Sequence, residues 1–489
     1  MHEGKPGEGV GAGASAPHAS DTVGGTVGGT AGEPLTGAEA NRTLPIGLSV
    51  LVILATVGMA VRTGGAHTRA APGEEPPVRD VIVVAIDGIA PGDVDLGTTP
   101  HLVAFGGDAV SYRDAYAPSP WAAESLDALL HGRHRPPAPG TDGWTPGLAD
   151  ELGHLGYRTA LVPGHRRHAL GAVGEGGGAA SAPAGFQELV LPAGLDGDAG
   201  AQGAEVVEAA LEWFHASDEP CLLVVTLADP RAPHHHYRGS EIAPDPEYRG
   251  PVRSGLPHDD LLRLGPDLEA ADLAQLDAFH RTELAATDAA LRVLLEGVRR
   301  SRGPSPVVAV LGLRQSPMGE GGRLGLIPSM EPEDLRVPVW LQLPSPEEGH
   351  VNGSLRGVVG APISLLDLEP TLLAAIGITP RRDLDGACVH PGAHLPDRPI
   401  RAVTSRGVCA AVAFEGDRAV ILEAEPPSAR VRVRGPRADQ RREGRWDPTE
   451  AVTGPDADLR RSLARWMAAA GVRTPSGMPV ALEDAPFAP

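Results

Sequence analysis

Lysine is almost missing from this 489-residue chain: Lys5 is the only one, so every other basic contact must come from arginine or histidine. Basic residues are also outnumbered, with 42 Lys and Arg against 63 Asp and Glu and a formal net charge of -21. A nucleic-acid partner needs a basic face that neutralises phosphates, so that class is excluded. Aromatic residues make up 3% of the chain, which leaves a core to be assembled from Val, Leu, Ile and Ala. There are three cysteines, Cys221, Cys388 and Cys409, with no CxxC and no tight Cys/His spacing. Neither a zinc site nor a disulfide framework is therefore indicated. At most one bridge can form, and Cys388 with Cys409 is the candidate pair.

Long apolar runs are scarce too, with one exception at 44–61 (LPIGLSVLVILATVGMAV), bounded by Arg42 and Arg62. Eighteen residues at helical rise span about 27 Å, enough for a bilayer core. The run is read as a single-pass transmembrane helix; a cleaved signal peptide and a buried core helix are the other readings. Arg42 on one side and Arg62 with Arg69 on the other leave the orientation open. Residues 1–43 are Gly, Ala, Ser and Thr with scattered charge and cannot offset their ordering entropy, so they are expected to be a disordered tail. Residues 62–77 read as a linker, 78–400 as an α/β domain, 401–472 as a C-terminal subdomain and 473–489 as a tail.

The α/β domain opens on Val81-Ile82-Val83-Val84-Ala85-Ile86, which stops at Asp87-Gly88. Such a run reads as a buried strand that delivers a carboxylate to its C-terminal end, the edge where open α/β sheets do chemistry. A helix, a Gly-Tyr turn and a strand follow at 145–162, then a helix stripe at Val206, Val207, Ala210, Leu211 and Phe214, and a strand at 221–227. Leu273, Leu276, Leu284, Leu291, Leu295 and Val298 mark a long amphipathic helix. Strands are expected at 307–311 and 337–343, and a helix at 364–376. The alternation implies a large, mostly parallel sheet with helices on both faces. Past Gly386 the pattern shifts to short antiparallel strands at 402–412, 419–423 and 429–433. An amphipathic closing helix follows at 456–470, capped by Asp456, with Leu459, Leu463, Trp466 and Met467 facing inward.

Several segments, in order, resemble the sulfatase family of the alkaline phosphatase superfamily. They are the opening strand with Asp87, Thr98-Thr99-Pro100-His101-Leu102, Ala115-Tyr116-Ala117-Pro118-Ser119-Pro120-Trp121, and the stretch from Ala122-Ala123-Glu124-Ser125-Leu126 to His131-Gly132-Arg133. Gly156-Tyr157-Arg158-Thr159-Ala160 and Ser364-Leu365-Leu366-Asp367-Leu368-Glu369-Pro370-Thr371 continue the match, which runs from about 80 to 470. The resemblance implies the sulfatase-like α/β fold with a smaller C-terminal antiparallel sheet and a closing helix. It also implies ester hydrolysis by a metal-activated nucleophile, and a soluble domain outside the cytoplasm.

Position by position, little of that chemistry remains. Asp87 matches the first metal carboxylate, while Gly88 stands where many sulfatases carry a second aspartate. Ala122 occupies the nucleophile position without a gap and has no atom that can attack; Leu126 replaces the arginine expected to steady the nucleophile. The later metal pair is replaced by Gly312-Leu313-Arg314-Gln315, and Arg231 in Asp229-Pro230-Arg231-Ala232-Pro233 replaces a substrate-binding histidine. Losing the nucleophile and these ligands removes covalent catalysis and most metal affinity, each worth several powers of ten in rate. The expected function is a membrane-anchored binding or scaffolding ectodomain that grips a sulfated or phosphorylated anion with Arg314, Arg231 and Arg133. The alternative is an active sulfuric- or phosphoric-ester hydrolase with a rearranged site that uses a divalent cation (Ca, Mg or Zn).

Other residues carry paired readings. Asp87-Gly88 is also a common turn. Ser125 is a substitute nucleophile or, preferably, a structural residue at a helix start. His165 and His168 echo a sulfate-binding loop or form an exposed basic turn, and the turn is preferred. His234-His235-His236 read as a stray metal site or as solvated side chains, and solvated is preferred; Glu320 sits in a glycine-rich loop with no assigned role.

Overall fold

The computed structural model describes residues 78–134, 146–169, 185–195, 200–237, 242–299, 305–319, 324, 330–343, 356–391, 393, 395, 397–404, 409–416, 418–425, 428–434, 442–445, 459, 461 and 463. The run at 44–61, its flanks, Glu320 and most of the closing helix lie outside them. Among the described residues no helix is long and apolar enough to cross a membrane.

In chain order the first half contains β1 (Val81–Asp87), α1 (Pro100–Gly107), β2 (Val110–Tyr116), α2 (Ala122–His131), α3 (Leu148–His154), β3 (Arg158–Val162), α4 (Arg166–Ala169) and β4 (Glu188–Leu189). The second half adds α5 (Gly203–His215), β5 (Cys221–Leu227), α6 (His258–Leu264), α7 (Ala270–Arg299), β6 (Val307–Arg314), β7 (Arg336–Gln342), β8 (Gly357–Val359), β9 (Ile363–Ser364) and α8 (Leu368–Ala375). These strands form one sheet in the order β4-β3-β5-β1-β6-β7-β2-β8, with β9 also on β2. All pairings are parallel except those of β7 with β6 and β2. The expected mostly parallel sheet is therefore present, with β7 as its one reversed strand.

β1 is central because its side chains feed both cores. Val81, Val83 and Ala85 pack with α2, α3 and α8 residues such as Leu126, Leu152 and Leu372. Ile82, Val84 and Ile86 point the other way, toward Leu102 of α1, Val206 of α5 and Leu291 of α7. The period-2 alternation of a strand makes this division, and burial on both faces explains why β1 carries no polar residue before Asp87. Every β1 side chain is buried, so truncating one of its isoleucines to alanine would cost about 2–5 kcal/mol.

Two expected elements differ in detail. The helix expected at 364–376 begins instead with a 3-10 turn, and α8 starts at Leu368. Asp367 accepts the Ser364 N–H at 2.9 Å, a capping arrangement that holds the tighter turn in place. The single strand expected at 402–412 is two strands, β10 (Ile400–Thr404) and β11 (Cys409–Glu415). They pair antiparallel and continue into β12 (Arg418–Glu425), β13 (Ser428–Arg434) and β14 (Arg442–Arg445) in sequential order. Phe414 packs edge-on to Tyr116, with ring centroids 4.7 Å apart, and joins this smaller sheet to the end of β2. Leu459 and Leu463 are buried, as expected. Cys221 and Cys388 are free thiols, so the candidate pairing of Cys388 with Cys409 is not formed.

Candidate functional site

The C-terminal ends of β3, β5, β1 and β6 bring four side chains together. β6 runs to Arg314, past the expected end at 311, and its register sets Arg314 opposite Asp87 after a bulge at Ile86/Asp87. The Gly88 N–H donates to the Arg314 carbonyl at 3.1 Å and locks this placement. The turn after β5 delivers Arg231, whose N–H donates to the Ala228 carbonyl at 3.1 Å. Past β3, α4 presents His168.

Asp87 is the centre of the group. Arg314 Nε stands 2.7 Å from its Oδ1, Arg231 Nε 3.7 Å from its Oδ2, and His168 Nε2 3.0 Å from its Oδ2. The Arg314 contact is close but off the line of a hydrogen bond, which makes it an ion pair. All four residues are more than nine-tenths buried. Burial alone would raise the Asp87 pKa; Arg314 first, then His168 and Arg231, outweigh it and hold the carboxyl well below its ordinary value. Because a carboxylate only accepts, His168 must carry its proton on Nε2. His168 Nδ1 lies 2.8 Å from Thr226 Oγ1, which accepts the Gly164 N–H at 2.9 Å and keeps its own proton to donate to the ring. Arg314 Nη1 donates to the Gln315 carbonyl at 2.8 Å, and Nη2 is buried with no hydrogen-bond partner among the described residues. The field reaches further: burial, and then Arg231, Arg314 and Arg167 against the opposing Asp259, hold His258 below its ordinary value.

The sequence reading is met unevenly here. Asp87, Arg231 and Arg314 come together. Arg133 does not join them; its Nη2 donates to the Asp383 carbonyl and carboxylate at 2.5 Å each, on a loop far along the chain. His165 and His168 are buried rather than an exposed turn, because Thr226 and Asp87 capture His168. His234 is also buried, with Nδ1 2.7 Å from Glu283 Oε2, so it is not solvated. Burial, then its neighbours His280 and Arg314, hold His234 well below the usual imidazole range. Ser125 donates to the Ser119 carbonyl at 2.9 Å and is fully buried, as a structural helix-start residue should be. Ala122 opens α2 and Leu126 lies in the core.

The divalent cation that this fold implies does not fit around Asp87. One carboxylate shares its oxygens with two guanidinium groups and an imidazole N–H, and a dication there would face two fixed positive charges. Nor can the second aspartate be restored at Gly88, which holds φ at 102°. A Cβ there would lie 2.6 Å from the Pro230 carbonyl oxygen and 2.8 Å from Ser316 Oγ. Gly88→Asp is expected to lower stability by on the order of 3 kcal/mol in urea unfolding, with no metal uptake gained.

No family model matches the chain, and no curated protein matches it in sequence. Solved structures do match its fold. A protein of the alkaline phosphatase superfamily from Vibrio parahaemolyticus aligns over 79% of this chain and 89% of its own, with a TM-score of 0.51 and 13% identity. A structure solved in complex with its substrate D-glucosamine-2-N,6-O-disulfate aligns over 84% of this chain and 100% of its own, with a TM-score of 0.55 and 14% identity. The phosphonate monoester hydrolase of Agrobacterium radiobacter aligns over 70% of this chain and 87% of its own, with a TM-score of 0.53 and 14% identity. The fold is thus that of the sulfatase-like alkaline phosphatase superfamily.

Proposed function

We propose that this chain is a membrane-anchored, sulfatase-fold binding ectodomain that holds a small oxyanion and does not hydrolyse esters. The ligand is a sulfate or phosphate group, free or as the head of an ester. One observation carries the reading: a guanidinium, and not a metal ligand, stands 2.7 Å from the Asp87 carboxylate, with its buried Nη2 still unpartnered. Beside Asp87, the Arg314 guanidinium keeps a buried N–H group with no partner among the described residues, and an oxyanion with several acceptor oxygens would accept from it. Ala122 offers no nucleophile. The anchor is the apolar run at 44–61.

The test uses the full-length chain in mild detergent. Sulfate or phosphate at ten times its Kd should add about 1.4 kcal/mol of stability and raise the melting temperature. Arg314→Met should abolish that rise. Aryl sulfate and aryl phosphate esters should not turn over. Turnover that disappears on replacing Asp87 by alanine would overturn the reading and favour an active hydrolase with a rearranged site. No anion-dependent shift at all would leave a purely structural role.

A further inference from the structure

We propose that His234, His280 and Glu283 form a binding site for one divalent transition-metal ion of the zinc class, apart from the Asp87 group. His280 and Glu283 lie three residues apart on α7 and therefore share one face. His234 reaches them from the loop after β5, and all three are buried, with 3%, 1% and 0% exposure for His234, His280 and Glu283. It is the one group among the described residues whose ligand atoms, all within 4.8 Å of one another, could hold a metal ion.

A hydrogen bond between His234 and Glu283 holds two of the ligands together, and His280 completes the group at a longer distance. Glu283 Oε2 is 2.7 Å from His234 Nδ1 and 4.0 Å from His280 Nδ1. The second separation is too long for a hydrogen bond. Two donors each about 2.0–2.2 Å from one tetrahedral zinc ion lie roughly 3.4 Å apart. The longer pair therefore closes slightly, and the hydrogen-bonded pair opens by a similar amount as the ion replaces the proton on His234 Nδ1. The surroundings orient each ligand. The His235 N–H donates to Glu283 Oε1 at 2.5 Å, which leaves Oε2 to face the imidazoles. His280 Nε2 lies 3.5 Å from Asp93 Oδ2, which accepts the Ala90 N–H at 2.7 Å. That contact puts the ring proton on Nε2 and leaves the Nδ1 lone pair directed inward, as in a carboxylate–histidine–metal arrangement. His280 Nδ1 has no hydrogen-bond partner among the described residues, a costly state for a buried acceptor that a bound cation would relieve.

Two imidazoles and one carboxylate select zinc-like ions over calcium or magnesium, which prefer oxygen ligands. Three protein ligands also leave a fourth position for water. The cysteine count pointed away from zinc, but this donor set uses no cysteine.

The metal-stripped full-length chain should take up one equivalent of zinc. Glu283→Gln and His280→Gln should each weaken binding at least about 100-fold, and Asp93→Asn about tenfold. Uptake far below one equivalent by the wild-type chain overturns the site, as does one equivalent that survives in both ligand variants. Should those variants fail to fold, zinc-edge anomalous scattering from wild-type crystals decides. A peak between the three side chains supports the site, and a peak elsewhere overturns it.

Discussion

Replacing Asp87 with alanine should destabilise the folded chain by about 3–5 kcal/mol in urea unfolding at neutral pH, many times the effect of an ordinary surface substitution. The cause is the charge left behind. Arg314 and Arg231 are both buried, and the Asp87 carboxylate lies 2.7 and 3.7 Å from their Nε atoms. Without it, two guanidinium groups and the His168 N–H converge on an apolar methyl. A carboxylate that served only to hold a metal would behave otherwise, because removing it from a metal-free chain relieves repulsion. Pairing Asp87→Ala with Arg314→Met should recover at least half of the loss, since the double change removes both charges.

The pH dependence has a definite sign. Asp87 titrates below its ordinary value of 3.8 in the folded chain. Its stabilising contribution is therefore complete above pH 3.8 and is lost as the pH falls through the lower folded value. The gap between wild type and Asp87→Ala should stay constant from pH 5 to 8 and close only in strong acid. A chelator should not change it. A gap that vanishes on chelation would instead mean that Asp87 acts through a metal.

The frame of this site was legible because strands announce themselves. The apolar run of β1 ends at a carboxylate, and gap-free spacing carries Ala122 and Arg133 to known positions in a recognisable order. Arg314 could be placed because the family's later metal pair follows the strand expected at 307–311, although that strand in fact runs on to Arg314 itself. What periodicity cannot report is which distant group captures a loop side chain. Arg166, Arg167 and His168 read as a basic turn, yet His168 is drawn inward by Thr226 and Asp87, 58 and 81 residues away. His234, His235 and His236 are chemically identical in sequence, and Glu283, 49 residues on, singles out the first. Arg133 fits its motif position, but Asp383 takes its guanidinium. Glu369 was hidden for the opposite reason. It sits inside one of the close motif matches, Leu368-Glu369-Pro370-Thr371, and a motif match does not report how deeply an acid is buried.

That acid yields the second large effect: at pH 9, Glu369→Gln should stabilise the chain by on the order of 4 kcal/mol. Glu369 lies in the first turn of α8 with 0% exposure, and neither carboxylate oxygen has a hydrogen-bond partner among the described residues. A Cβ on Gly132 would collide with Oε2, so the glycine of His131-Gly132-Arg133 makes room for this side chain. Burial first, and then Glu151, push its pKa up to about 8; Arg381 and Arg133 only partly offset them. The raised folded value means that the proton is held more tightly in the native chain than in the unfolded one. Stability is then intact below the ordinary value of 4.5 and is lost progressively as the pH rises through about 8. Glutamine keeps the shape and the neutral charge of the protonated acid, so it should change little at pH 4. The wild-type chain should therefore weaken between pH 4.5 and 8 by an amount that the variant does not show. Equal slopes for the two chains over that range would mean that Glu369 is ionised and compensated in the folded state. The arginines nearby, Arg133 and Arg381, would then be its partners and would matter far more to this corner of the fold than Asp383 does.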